Sequence, residues 1–384
     1  MERSDSAGIP ISTALAPLWG PGEGWTVEDE PLVRIGNIGG PPEYLLDWVV
    51  GAVRLSRGDI VVGEMMSGEL RRFDRDGTFV WRAAGRGEGP GEHLELSFLG
   101  SLPGDSVVTF DHRNNRLQVF GPDGGVSRTV PMESPWPGFR ATDVIGLSER
   151  HLVMTFSDYR GEMPVGVVRW PGVGIATYSL DDGSMRELMA VPGGEQHIQR
   201  YSSGQVGYTA YEFGKGPRWA VMPGRLAVVD TEFFSIRSVS LDDGSTTAIL
   251  RRNDPVLEVT SEHVDAFLES MVRRNIEYGG YSREEAEASI PSWRELPMAP
   301  TLPVLESIRL DAAGNLWVEP YSPPGTPVPP FDVYSADGAW LGTVAMPPRL
   351  ELGIVGLEIG EDYVLGVWHG EQDVEQVRMY RLRK

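Results

Sequence analysis

The chain has 384 residues, 41% of them hydrophobic and 23% charged, with a formal net charge of -21. That composition is globular rather than disordered, and so acidic a field repels the phosphate backbone of nucleic acids and anionic membrane surfaces while attracting cations. With no cysteine, a disulfide, a thiolate nucleophile and a Cys-ligated zinc are all excluded, and the redox compartment cannot be read.

The first stretch, Ser4 to Pro21, is rich in Ser, Ala, Gly and Pro and reads as a linker or loosely held end, with residues 1–24 outside the folded domain. No basic start followed by an apolar core occurs there, so no signal peptide is expected in the chain as given. No run of about 18 apolar residues follows anywhere, so no transmembrane segment is expected.

From residue 25 to 384 a repeat governs the pattern. Five segments share a strand, an Asp-Gly turn and the start of another strand: Leu70–Gly77, Leu117–Gly124, Ala176–Gly183, Arg237–Gly244 and Phe331–Gly338. Asp-Gly suits a tight hairpin because Gly tolerates positive φ and Asp bonds its own backbone. Before each lies an apolar strand: Asp59–Gly63, Ser106–Phe110, Leu152–Phe156, Arg225–Val229 and Asn315–Val318. A sixth copy, Asp362–Trp368, is followed by Gln376–Leu382, and there the chain stops.

A four-stranded propeller blade needs about 40–50 residues. Gly77 to Gly124 fits one blade, and Gly244 to Gly338 holds one blade and a large insertion. The sixth copy lacks an outer strand, which Trp25–Gly36 can supply. The expectation is therefore an all-β, six-bladed β-propeller in which an N-terminal strand closes the last blade and leaves no free sheet edge. A many-stranded β-sandwich is the alternative, but a sandwich has no reason to repeat.

The insertion spans residues 261–290, between the fourth and fifth blades. Val264, Phe267, Leu268 and Met271 follow helical spacing, Gly279 and Gly280 end that helix, and Ser282 with Glu285 forms a capping box for a second helix ending before Pro291.

Strands of a blade alternate in direction, so loops alternate between two faces. The hairpins between second and third strands share a face with the crossings into the next blade and with the helical insertion. The Asp-Gly turns lie on the opposite, short-looped face. Long loops on one face of a rigid scaffold hold the expected binding site.

At the ends of the second strands stand Glu64, Asp111, Asp158, Asp230, Glu319 and His369, with His112 and Arg113 just beyond Asp111. If the five acids Glu64, Asp111, Asp158, Asp230 and Glu319 point inward, they ring the channel mouth and would hold a calcium ion through oxygen ligands. The other reading is that each caps its own turn by accepting backbone N–H bonds. No metal spacing such as His-Glu-x-x-His, no nucleophile elbow and no Gly-x-x-x-x-Gly-Lys loop occurs. The glycines at 85, 87, 89 and 91 open no helix and read as a shaped turn between blades, not a phosphate cradle.

The segment Gly87–Glu92, followed by Asp105–Phe120 with its Asn114-Asn115-Arg116 turn and Gln118-Val119-Phe120 ending, resembles an NHL-type propeller repeat. The whole chain resembles bacterial six-bladed propeller proteins that are often lipoproteins, in which a segment like Asp5–Gly8 follows a lipid-anchored signal. The resemblance implies the propeller fold, an extracytoplasmic home and a lipid anchor in a full precursor, and carries no agreed activity. Two function classes stay open. One is a non-catalytic module binding a small molecule or a protein and needing no cofactor. The other is a calcium-dependent hydrolase or lactonase of the gluconolactonase kind.

Overall fold

The computed structural model describes residues 1–37, 39–158, 164–201, 203–209, 211–277, 279–348, 350, 356–369 and 374–384. It is all-β, of the propeller kind. Six antiparallel sheets follow one another along the chain, each built on four strands taken from the inside outward. Sheet I holds Val49–Arg54, Ile60–Glu64, Glu69–Phe73 and Phe79–Ala84, and sheet II holds Leu96–Leu102, Ser106–Asp111, Arg116–Phe120 and Val126–Pro131. Sheet III uses Arg140–Ser148, His151–Ser157, Val173–Ser179 and Met185–Val191. Sheet IV uses Pro217–Met222, Arg225–Asp230, Ser235–Ser240 and Thr246–Arg252. Sheet V uses Leu305–Leu310, Leu316–Pro320, Phe331–Tyr334 and Trp340–Val344. Sheet VI runs Glu358–Ile359, Tyr363–His369 and Glu375–Arg383, and its fourth strand is Thr26–Ile35 from the other end of the chain.

That last pairing matches the expected role of Trp25–Gly36. It is antiparallel, with Val33 opposite Met379 and Ile35 opposite Val377. The second strands are apolar on both faces because each sheet is covered by a neighbour on either side. The core is accordingly a set of separate clusters. Leu70, Leu96 and Phe120 join sheets I and II; Phe110, Leu152 and Phe156 join II and III; Val153, Leu226 and Val239 join III and IV. Ile236, Ile308 and Tyr334 join IV and V, and Trp317, Val364 and Trp368 join V and VI. Ile35, Ile60 and Val367 join VI to I. Truncating one of these fully buried side chains to Ala costs about 2–5 kcal/mol.

The turn glycines behave as their type requires. Gly77 has φ +84°, and its N–H donates to the Asp74 carbonyl oxygen at 2.9 Å. In the fourth sheet the Asp243 carboxylate accepts from the Ser245 N–H at 3.0 Å, the local bond expected of this Asp.

Three expectations are corrected. The N-terminal residues are not a loose tail. Glu2–Ser6 and Ile9–Ala14 form a hairpin whose second strand adds in parallel to Thr246–Arg252, making sheet IV six-stranded. Ile11 and Ala14 are buried there, and that apolar pair outweighs the Ser, Gly and Pro content around it. The Asp5–Gly8 segment is the hairpin turn itself, with the Gly8 N–H donating to the Asp5 carboxylate at 2.9 Å. The strap then runs on: the Leu18 and Trp19 N–H groups donate to the Leu341 carbonyl of sheet V's outer strand, at 3.0 and 2.7 Å.

Second, the connections around sheet III are not plain loops. Gly166–Arg169, Glu195–Arg200 and Val206–Thr209 come from two different connections and form a three-stranded sheet. Third, the insertion holds three helices. Ser261–Glu277 is the long one; Arg283–Glu287 has the expected Ser282–Glu285 capping box; Ile290–Arg294 begins where the second was expected to stop, because Pro291 fits the first turn of a new helix.

Candidate functional site

The inserted helices do lie over the loop-rich face. Phe267 and Leu268 pack on Phe213, in the crossing that enters sheet IV, and on Tyr321, just past the second strand of sheet V. The stem is fixed by Lys215, a buried lysine whose ammonium donates to the carbonyl oxygens of Phe213, at 2.8 Å, and of Thr301. Burial lowers its pKa. The three-stranded sheet occupies the same face, tied down where Arg169 pairs with Asp230.

The expected site residues sit at the strand ends where the sequence puts them, and among the described residues no three of the acids and histidines are placed to hold one metal ion. Glu64 is buried, pairs with Arg71 at 2.8 Å, and accepts from the Asp47 N–H and the Ser67 hydroxyl, both at 2.9 Å. Burial raises its pKa, and the Arg71 charge offsets only part of that rise. Asp111 is fully buried and accepts from the N–H groups of Leu94 (3.0 Å), Glu95 (3.1 Å) and Asn114 (3.2 Å) and from the Asn114 amide at 2.7 Å. Burial opposes its charge, yet these N–H groups outweigh the penalty and hold its carboxyl below the ordinary range. Asp230 accepts from the Glu232 N–H at 3.0 Å besides its Arg169 partner. These are turn caps and ion pairs.

His112 has its Nδ1 2.9 Å from the Thr142 carbonyl oxygen, Arg113 is exposed, and His369 ends its strand opposite Glu375. Asp158 follows the second strand of sheet III; residues 159–163 and 370–373, which follow the second strands of sheets III and VI in the sequence, lie outside the described residues. The Gly85–Glu92 turn is shaped as expected. Arg116 reaches back to the carbonyl oxygens of Glu88, Gly89 and Glu92 at 2.6–2.9 Å.

Calcium takes six to eight oxygen ligands. Here Glu64, Asp111 and Asp230 face N–H donors and guanidinium groups, and among the described residues no three His, Asp or Glu side chains are placed to share an ion.

Glu319 differs from the other acids. It is buried with the Ser307 hydroxyl donating at 2.6 Å, and burial, reinforced by nearby Glu306, raises its pKa to about 7. Around it stand residues of the inner strands that the sequence did not single out. Arg218 of sheet IV donates to the Glu306 carbonyl at 2.6 Å and lies 3.8 Å from its carboxylate. Arg309 of sheet V is half-buried, and burial lowers its pKa. Glu212 and Tyr321 border the helices, and burial raises both pKa values. On the inner strand of sheet III, burial raises Asp143 to about 6, near His112. Strand order hides this cluster from the sequence, since Arg218 and Arg309 read as ordinary polar positions in short strands.

No protein-family model and no curated protein matches the chain. Solved structures match over nearly its whole length at low identity. A member of the DUF4221 family from Bacteroides vulgatus is 12% identical, covering 94% of this chain and 99% of its own, with a TM-score of 0.53. Regucalcin from Agrobacterium tumefaciens, a calcium-binding protein, is 12% identical, covering 93% and 95%, with a TM-score of 0.44. Virginiamycin B lyase from Staphylococcus aureus is 10% identical, covering 94% and 100%, with a TM-score of 0.44. The likeness is one of fold, a β-propeller, and does not single out the NHL type.

Proposed function

We propose that the chain is a non-catalytic binding scaffold: a six-bladed propeller forming one unit from residue 25 to 384, strapped by the residues before it. Its ligand, a small polar molecule or a protein segment, sits on the loop-rich face beside the inserted helices. The observation that supports this reading is the half-buried cluster Arg218, Glu306, Arg309 and Glu319, with both added modules built on the same face. Charges of both signs at a partly dry mouth suit a ligand that is itself polar or zwitterionic. The calcium-dependent lactonase reading has less support, because Glu64, Asp111 and Asp230 are already engaged by N–H donors and guanidinium groups. Nucleic acid is opposed by the net charge of -21.

Thermal-shift screening of polar metabolites against the full chain, Arg218→Met and Glu319→Gln tests this. Compounds that raise the wild-type Tm should lose the effect in both variants. Hits indifferent to both substitutions, or turnover of a lactone with added calcium, would overturn it. On the resemblance alone we place the protein outside the cytoplasm, periplasmic or lipid-anchored through a longer precursor; no described helix is long and apolar enough to cross a membrane. Fractionation of the native host with an antibody to the chain tests the placement.

A further inference from the structure

The Asp-Gly face is not plain. A cavity of about 300 Å³ opens there between sheets IV and V, on the side away from the inserted helices. Its cause is a row of small side chains. Ala227, Ser238 and Ala248 stand opposite one another on three adjacent strands of sheet IV, where a large residue would fill the gap to sheet V. Ile11, Ile236, Leu250, Leu310 and Leu316 supply apolar wall, and the N-terminal hairpin closes one side. The Ser12 hydroxyl donates to the Asp337 carbonyl at 3.3 Å, and Arg3 pairs with the Asp337 carboxylate at 3.0 Å.

Arg3, Arg225 and Asp337 are the ionisable side chains that line the cavity. Arg3 and Asp337 neutralise each other, which leaves Arg225. That guanidinium is half-buried, donates to the Gly314 carbonyl at 3.2 Å, and has no carboxylate within ion-pair distance among the described residues. In a chain of net charge -21 this is one local positive charge on an apolar wall. A guanidinium withdrawn from water without a counter-ion is costly, and its planar fork matches a carboxylate.

We propose that this cavity binds a small carboxylic acid with an apolar body, the carboxylate on Arg225 and the body along the Ala227–Ser238–Ala248 row. About 300 Å³ gives room for about ten heavy atoms at roughly 30 Å³ each, the size of octanoate. The site is independent of the loop face and of any ligand bound there.

Calorimetry with octanoate, octan-1-ol and octylamine on the full chain at pH 7.5 tests the proposal. Octanoate should bind one to one, with the alcohol and the amine at least about ten-fold weaker, as expected when a charge-assisted pair is lost. Arg225→Gln should weaken octanoate at least about ten-fold and leave octanol unchanged. Ala248→Trp, which fills the cavity and keeps Arg225, should abolish binding of all three, with circular dichroism confirming the fold. If Arg225→Gln does not fold, the ligand series and Ala248→Trp decide. No octanoate binding at millimolar concentration, equal binding of octanol, or binding unaffected by Ala248→Trp would overturn it.

Discussion

Asp111 and Glu319 stand near the ends of second strands on the same face, both buried but one register position apart, Asp111 opposite Leu96 and Glu319 opposite Ser307, and their carboxyl pKa values move in opposite directions. Register sets part of the difference, since Pro320 holds the place that corresponds to Asp111, and the donors around each acid set the rest. After Asp111 comes a short turn whose Asn114 N–H and amide point back at the carboxylate, joined by the N–H groups of Leu94 and Glu95. After Glu319 comes Pro320 and a loop holding Pro323, Pro324, Pro327, Pro329 and Pro330. Proline has no N–H to give, and among the described residues Glu319 accepts from the Ser307 hydroxyl and stands near Glu306. The N–H donors within reach, from the following turn and from the residues leading into the inner strand, separate the acid that caps from the acid that titrates.

Removing each carboxylate gives the widest contrast. Asp111→Ala leaves three part-buried N–H groups and the Asn114 amide without this acceptor, and should cost about 3 kcal/mol in urea unfolding at pH 8. Glu319→Gln should be neutral or stabilising at that pH. Equal losses at the two sites would break the comparison.

The pH dependence should differ in sign. The folded pKa of Glu319 is about 7, above its ordinary 4.5. Folding therefore favours the protonated form, and the contribution is complete below pH 4.5 and lost as pH rises through 7. The loss amounts to about 3 kcal/mol at most. Asp143, at about 6 from 3.8, adds a term of the same sign. Asp111, with its pKa lowered, contributes stability that is present above its unfolded value and lost on acidification. Unfolding curves from pH 4 to 8 should show stability falling between about pH 4.5 and 7 and levelling above, with that slope reduced in Glu319→Gln. An unchanged slope in the variant would show that Glu319 titrates normally.

A smaller effect is expected from the helices. Replacing residues 261–294 by a short Gly-Ser linker should keep the β circular-dichroism signal and lower Tm by a few degrees, because Phe213 and Tyr321 lose their cover. Loss of the β signal would instead make the helices part of the core. The smallest effect is calcium. Millimolar calcium added to chelator-stripped protein should leave Tm unchanged, since a stabilising shift needs a site that the folded state alone possesses. A rise that Asp230→Asn removes would restore the acidic ring.

Much of the architecture was legible because it repeats. Asp-Gly turns at fixed offsets, apolar second strands and the Ser282–Glu285 box each carry a local physical signature. The pairing of Thr26–Ile35 with Glu375–Arg383 could be inferred by counting, since one sheet lacked a strand. The three-stranded sheet could not, because its strands come from two connections and neither is complete alone. The N-terminal hairpin was hidden behind Ser, Gly and Pro, with only Ile11 and Ala14 marking its buried side. The acids at the strand ends were found in the right places, but their chemistry depended on turn geometry that residue type does not encode. Arg218, Arg309 and Arg225 were missed because an arginine in a strand carries no sign of which space it faces.

Residues 9–19 join the outer strands of sheets IV and V, and Thr26–Ile35 is the outer strand of sheet VI, so this early part of the chain is used after the strands that follow it. During synthesis Thr26–Ile35 has no partner until Glu375–Arg383 has left the ribosome, and Ile9–Ala14 waits for Thr246–Arg252. Bringing ends this far apart together carries a loop-closure cost that grows only slowly with length, but the delay is long. For that time an unpaired strand is open to pairing with another nascent chain. A polar, proline-containing lead such as Glu28-Asp29-Glu30-Pro31 in the middle of the waiting strand is suited to that interval, because like charges and a missing N–H keep it from pairing prematurely with its neighbours.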